Sequence, residues 1–238
     1  MERVRFVGAG PGDPDLITVK GMRLVEGADL LIYAGSLVNP VLVARSRAAK
    51  RLDSHGMSLA ELVDAMAAGA RAGQRVVRLH SGDPSLYGAI VEQIAGLEAL
   101  GVPVEIVPGV SSMFGAAAAL KTQLTLRGVS ESVIVTRPAG ATLDEDRLPE
   151  LSRLGATLVV FLGTEHLESI TARLACPPTT PAAVVYHATW DDERIVTGTV
   201  AEIAALAREA GITRTALLIV GDVVRAGAAP FEHSVLYS

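Results

Sequence analysis

Val76-Val77-Arg78-Leu79-His80-Ser81-Gly82-Asp83-Pro84-Ser85-Leu86-Tyr87-Gly88 decides the fold, because an apolar run of β type halts at Gly82-Asp83-Pro84 and a helical pattern follows. In a parallel α/β sheet such a turn stands at the carboxyl end of a strand, where the crevice that holds ligands opens. Gly82 lets backbone approach a ligand closely, and Pro84 presets the dihedral for helix entry. Taken alone the stretch fits an ordinary strand-to-helix loop equally well, since fold does not dictate function. A second stretch, Val7-Gly8-Ala9-Gly10-Pro11-Gly12-Asp13-Pro14, has the same design. Two Gly-Asp-Pro turns in one half of the chain point to one shared pocket.

Outward from these turns, Arg3 to Val7 reads as a buried first strand, followed by a helix from about Asp15 to Gly27 and a strand from Ala28 to Tyr33. Ser58 and Glu61 form a capping box, behind which Leu59, Leu62, Val63 and Met66 make one apolar helix face. Leu86, Ile90, Ile94 and Leu97 predict another helix, and Val102 to Val107 a strand that stops at Pro108-Gly109-Val110-Ser111-Ser112. This alternation predicts an α/β domain over residues 1–119 with a mainly parallel sheet covered on both faces. The polar, irregular residues 120–131 are expected to link it to a second domain, 132–238. There Ser132–Thr136, Thr157–Leu162, Pro181–Tyr186 and Thr215–Val220 read as strands, and Val184–His187 with Arg194–Thr197 as a hairpin, which implies a mixed sheet. Thr199 and Glu202 supply a second capping box before a helix from Val200 to Ala210. The fold class is therefore α/β, in two domains.

Half of the 238 residues are hydrophobic, enough for a large core or two modest ones. A formal net charge of -5 offers no global basic field for nucleic acid or an anionic membrane, so a polyanionic ligand would need local Arg or Lys groups. The single cysteine, Cys176, fits a reducing compartment and no internal disulfide. Charged residues at Met1 to Arg5 leave no apolar core for a signal peptide, and the apolar run Val110–Leu120 falls short of the ~20 residues of a membrane span. The expectation is a cytoplasmic protein.

Gly8-x-Gly10 after a first strand invites a dinucleotide reading. Pro11 and Pro14 remove amide donors from that loop, the spacing is G-x-G-x-G, and the second strand ends Tyr33-Ala34-Gly35-Ser36 without the acidic residue that would bind a ribose hydroxyl. A nicotinamide oxidoreductase is thus the weaker alternative. The phosphate-binding Gly-Lys-Ser/Thr pattern is absent too. His55, His80, His166, His187 and His233 are scattered without metal-ligand spacing, so no metal is expected. Ser111 and Ser112 have no His and acid arranged around them for nucleophilic catalysis. Arg127 and Arg137 flank the expected boundary and could clamp carboxylates.

The four turns together resemble those of the tetrapyrrole methylases, a family of S-adenosylmethionine-dependent methyltransferases. The markers are the Gly8–Pro14 loop, then Arg78-Leu79 with Gly82-Asp83-Pro84 and Tyr87-Gly88, then Pro108-Gly109-Val110-Ser111. Within the family, Tyr33-Ala34-Gly35-Ser36-Leu37-Val38-Asn39-Pro40 and Leu79-His80-Ser81-Gly82-Asp83-Pro84 are similar to the precorrin-4 C11-methyltransferase branch of cobalamin biosynthesis. Uroporphyrinogen III methyltransferases usually carry Tyr-Asp at Tyr33-Ala34 and Lys-Gly at His80-Ser81, so their acid-base residues do not carry over. The resemblance implies two α/β domains with S-adenosyl-L-methionine folded between them, S-adenosyl-L-homocysteine as the product, a tetrapyrrole substrate and a homodimer. Cobalt-precorrin-4 and uroporphyrinogen III or precorrin-2 are the alternative substrates. It also implies cofactor contacts from Pro11, Ser81, Gly82, Asp83, Leu86, Ser111 and Ser112 in the first domain, and from Leu162, Ala188, Thr215 and Ala216 in the second. The substrate's acetates and propionates would need Arg or Lys, for which Arg127 and Arg137 are the candidates. No residue stands out as a catalytic base.

Overall fold

The structure, a computed structural model, describes residues 1–140 and 143–225, with only the backbone at Ser36. His233 lies outside the described residues. The chain divides into two compact units, Met1–Ser112 and Met113–Ser238.

The first unit runs β1 (Val4–Gly8), α1 (Val19–Glu26), β2 (Leu30–Tyr33), α2 (Pro40–Arg45), β3 (Lys50–Asp53), α3 (Leu59–Arg71), β4 (Val76–His80), α4 (Ile90–Ala99) and β5 (Val104–Val107). Its five strands are all parallel, in the order β3-β2-β4-β1-β5. Both faces are covered, as the apolar run of β2 and the complete burial of β4 require. Phe6, Ile32 and Val76 pack under Met66 and Leu97, while Val7, Leu31 and Leu79 pack on the other face under Val25 and Leu42. The Ser58 hydroxyl accepts from the Glu61 amide (3.2 Å) and the Glu61 carboxylate accepts from the Ser58 amide (2.8 Å), so the predicted capping box starts α3. Such a cap contributes about 1 kcal/mol.

Three local readings differ. The helix expected from Asp15 begins at Val19, because Asp13-Pro14 makes a 3-10 turn as far as Leu16 and the Thr18 hydroxyl then caps α1 by accepting from the Gly21 amide (3.0 Å). α4 begins at Ile90 rather than Leu86, since Tyr87 and Ala89 are left-handed. β3 and α2 were not legible as elements. Lys50-Arg51-Leu52-Asp53 is a charged edge strand with a single apolar side chain, which leaves no alternation to detect.

The second unit takes in α5 (Ser112–Ala119) from Met113 on, then β6 (Val133–Thr136), α6 (Leu148–Leu151), β7 (Thr157–Val160), α7 (Leu167–Arg173), β8 (Pro181–Tyr186), β9 (Arg194–Thr199), α8 (Ile203–Glu209) and β10 (Ala216–Val220). The sheet order is β6-β7-β10-β8-β9, parallel only between β6 and β7, with the expected hairpin as β8–β9. One face buries Leu158, Val184 and Leu218 with Ile170 and Ile203; the other buries Val159, Val185 and Ile219 with Ala116 and Ala117 of α5. The contacts divide the chain after Ser112, and within residues 120–131 Leu124 and Ser130 are buried. Leu124 is buried, its carbonyl accepts from the Thr157 hydroxyl (2.8 Å), and the Thr122 hydroxyl donates to the Val223 carbonyl (2.7 Å). Polar side chains that satisfy one another internally read in sequence as a solvated linker. At α8, Glu202 accepts from the Thr199 amide and hydroxyl (3.2 and 2.7 Å), and the helix proper starts at Ile203. No helix among the described residues is long and apolar enough to cross a membrane.

Candidate functional site

In the first unit β4, β1 and β5 are neighbours running the same way, so the turns after His80, Gly8 and Val107 meet at one edge of the sheet. The Ala9 amide donates to the His80 carbonyl (2.7 Å), and Gly10 and Gly82 exchange two backbone bonds (3.2 and 2.8 Å). A Cβ at Gly8 would stand 2.5 Å from the Gly109 Cα and 2.6 Å from the Gly82 carbonyl oxygen, so no other residue fits there. Gly82 itself has φ +59°. Asp83 ties the turns together: one carboxylate oxygen accepts from the Gly109 amide (2.8 Å), the other from the Ser85 amide (2.8 Å) and hydroxyl. Partial burial opposes ionisation of Asp83, but the Ser85 and Gly109 hydrogen bonds outweigh it and hold the carboxyl below its ordinary range. Asp83 is therefore a brace for this edge, with both carboxylate oxygens engaged.

Under that brace lie Arg78, His80 and Gln93, each with no more than 5 % of its surface exposed. Burial, aided by the nearby Arg78 charge, pushes the His80 imidazole down to about 3, so it is neutral at physiological pH. Burial likewise lowers Arg78, to about 10, with Asp53 opposing, and the guanidinium stays charged. Its Nε donates to Gln93 Oε1 (3.3 Å), and the Gln93 amide donates to the Ala89 carbonyl (2.8 Å), linking β4 to the entry of α4. His80 stacks on Phe6, with centroids 5.8 Å apart.

In the second unit β7 and β8 end, and β10 begins, at a common edge, as the pairs Val160↔Leu218 and Tyr186↔Ala216 require. Seven described non-glycine residues have positive φ, and four stand here: Leu162 (56°), His187 (47°), Thr189 (70°) and Thr215 (56°). Two more, Tyr87 and Ala89, follow the brace of the first unit. Each such residue costs roughly 1–3 kcal/mol and is kept only where the surroundings over-determine it. Leu162 is also 62 % exposed, a large apolar side chain held in a strained backbone without burial to offset it. The Thr164 hydroxyl donates to the Ala216 carbonyl (2.9 Å) and accepts from its amide (3.1 Å), fixing the start of β10. In the β8–β9 loop the His187 ring stacks on Tyr186 (3.9 Å) and on Trp190 (5.0 Å), and the Arg194 guanidinium covers Tyr186 (4.4 Å).

Pro11, Ser81, Gly82, Asp83, Leu86, Ser111 and Ser112 thus fall on the turns after β1, β4 and β5, and Leu162, Ala188, Thr215 and Ala216 on the common edge of the second sheet. The two arginines separate. Arg137 follows β6 at the edge where β7 ends, whereas Arg127 lies in the turn before β6, next to Ser130, whose hydroxyl accepts from the Thr157 amide at the start of β7 (2.9 Å). Sequence reasoning quoted Asn39 only as part of a motif. Its side chain caps α2 by accepting from the Val41 amide (2.9 Å) and donates to the Gly12 carbonyl (2.9 Å), fastening the first loop. Among the described residues no three His, Cys, Asp or Glu side chains gather as metal ligands. At the first unit's edge Gly8 and Gly109 pack backbone against backbone where a Cβ would intrude, and in the second unit Ala188 is small and buried.

Residues 3–204 match the family described as Tetrapyrrole (Corrin/Porphyrin) Methylases, and the chain belongs to that family. Among its relatives, the cobalt-precorrin-4 C(11)-methyltransferase of Methanocaldococcus jannaschii is 49% identical over 93% of this chain and 88% of its own length. The precorrin-4 C(11)-methyltransferase of Pseudomonas aeruginosa is 44% identical over 98% and 94%. The X-ray structure of a cobalamin biosynthetic enzyme, cobalt precorrin-4 methyltransferase, superposes with a TM-score of 0.90 at 42% identity, covering 93% of this chain and 95% of that one. Uroporphyrin-III C-methyl transferase from Thermus thermophilus, complexed with S-adenosylhomocysteine, gives 0.82 at 33% identity over 94% and 99%.

Proposed function

We propose that this chain is an S-adenosylmethionine-dependent C-methyltransferase of cobalamin biosynthesis that methylates precorrin-4 at C11, giving precorrin-5 and S-adenosylhomocysteine. The observation that carries the reading is 44% identity, over 98% of the chain, to a relative named precorrin-4 C(11)-methyltransferase, with 49% to one named for the cobalt form of the same C11 methylation. S-adenosylmethionine would supply an activated methyl group on a sulfonium, so the protein's task is to bind, align and exclude water. In the first unit Pro11, Ser81, Gly82, Asp83, Leu86, Ser111 and Ser112 are the proposed cofactor contacts, with Asp83 holding the turns rather than reacting. In the second unit Leu162, Ala188, Thr215 and Ala216 are proposed for the same role. Arg137, and in second place Arg127, are proposed to pair with substrate carboxylates. The protein is proposed to work in the cytoplasm as a homodimer, which light scattering would test.

Incubation with labelled methyl donor and precorrin-4, cobalt-precorrin-4 or uroporphyrinogen III in parallel tests the reading, with label expected in precorrin-4. Label in neither corrin precursor would overturn it. The Methanocaldococcus jannaschii relative, named for the cobalt form, supports cobalt-precorrin-4 as the second reading. A melting shift with S-adenosylhomocysteine and none with NAD(H) or NADP(H) is expected as well.

A further inference from the structure

We propose that His187 is the proton acceptor of the reaction, its Nε2 taking the proton that the macrocycle must lose when C11 is methylated. The proposal rests on the methyltransferase reading above, and on how this one side chain is held. His187 is the only described histidine whose ring nitrogen pairs with a carboxylate: Nδ1 lies 2.8 Å from Asp192 Oδ1. The hydrogen bond from His187, against a smaller opposing effect of burial, holds the Asp192 carboxyl below its ordinary range, so Asp192 is the anion and can only accept. The proton between them therefore sits on Nδ1, which leaves Nε2 as the ring nitrogen that can take up another.

Nε2 has no hydrogen-bond partner among the described residues, and the side chain is 21 % exposed. Tyr186 and Trp190, stacked on the ring, restrict its rotation. The backbone is held as firmly: the His187 amide donates to the Thr215 carbonyl (3.3 Å), the Trp190 amide to the His187 carbonyl (2.9 Å), and the Thr189 amide to the Glu193 carboxylate (2.7 Å). Two left-handed residues, His187 and Thr189, are strained to make this shape, and Ala188 between them is a proposed cofactor contact. An imidazole oriented by a carboxylate, with its other nitrogen unpaired, is the arrangement that general-base catalysis needs.

The C11–methyl bond forms as the methyl–sulfur bond breaks with its electron pair left on sulfur, a macrocycle N–H or C–H gives its proton to Nε2, and the imidazolium returns it to water. The charged groups near His187 are Asp192 at Nδ1, Glu193 on the Thr189 amide, and Arg194, whose guanidinium covers the Tyr186 ring.

Two measurements test this. In the cofactor-free protein, nitrogen NMR of the imidazoles should show His187 in the Nδ1–H tautomer, and Asp192→Asn should abolish that preference; an Nε2–H tautomer in the wild type overturns the proposal. In single turnovers at saturating S-adenosylmethionine, His187→Ala and His187→Gln should each slow methylation of precorrin-4 by about 100-fold or more, with the affinity for S-adenosylhomocysteine within twofold of wild type. Added imidazole should restore part of the rate to His187→Ala only. Wild-type rates in both variants overturn the role of His187 and leave the methyltransferase reading intact; a wild type inert toward both corrin precursors overturns both. A loss of rate accompanied by loss of S-adenosylhomocysteine binding, without imidazole rescue, makes His187 a structural residue and likewise overturns the proposal.

Discussion

At the edge of the first sheet the turns are made by glycine packed on glycine, whereas at the edge of the second they are made by Leu162, His187, Thr189 and Thr215 forced into the conformation glycine would adopt easily. The first edge removes side chains so that backbone can approach backbone; Asp83 then locks the β4 loop to the β5 loop, and Gly10 and Gly82 tie in the β1 loop. The second keeps side chains at a conformational cost. The two edges thus differ in kind: one is shaped by close backbone packing, the other keeps side chains on strained backbone.

The difference can be broken most forcefully at Gly109, where a methyl group would run into the Gly82 carbonyl and Gly8. Gly109→Ala should cost about 3 kcal/mol or more in a denaturant titration, and a wild-type midpoint would mean that the turns are not locked by contact. Asp83→Asn comes next. It takes a charged acceptor away from the Gly109 and Ser85 donors and should cost about 2 kcal/mol, together with weaker S-adenosylhomocysteine binding by calorimetry.

A smaller effect separates the buried histidine under the first edge from everything else. Because folding lowers His80 from 6.5 to about 3, its contribution to stability is complete above pH 6.5 and is lost as pH falls toward 3. Between pH 6.5 and 5, above the range in which Asp29 and Asp83 take up protons, wild-type stability should fall by up to about 1.4 kcal/mol per pH unit and that of His80→Gln should be nearly level. Equal slopes would show that His80 is solvated. The smallest effect has the opposite sign: Leu162→Gly should raise stability by up to about 1 kcal/mol by relieving its φ of 56°, while weakening S-adenosylhomocysteine binding. Unchanged binding would show that the exposed leucine has no ligand to meet.

Legibility followed the same divide. The apolar runs of β1, β2 and β4, the capping box of α3 and the β8–β9 hairpin all announce themselves, because each is a local pattern of hydrophobicity or capping chemistry. β3 and α2 do not, the one a charged edge strand and the other a single turn and a half started by Asn39. The packing of Leu124 and Thr122 was hidden for the opposite reason: their partners, Thr157 and Val223, are distant in the chain. The strained residues of the second edge leave no mark in sequence either, since leucine, histidine and threonine carry no signal of a positive φ.

What the amino-acid sequence determined by itself was the alternation of strand and helix, the turns that break it, and through those turns the family, since periodicity, glycine and proline act over a few residues. Only the tertiary structure decided that Asp83 is a brace, that His80 is buried and neutral, that Arg127 and Arg137 stand at opposite ends of β6, and that His187 is held by Asp192. Each of these depends on burial or on partners brought together by the fold, and a charge or a proton responds to its surroundings in space rather than to its neighbours in the chain.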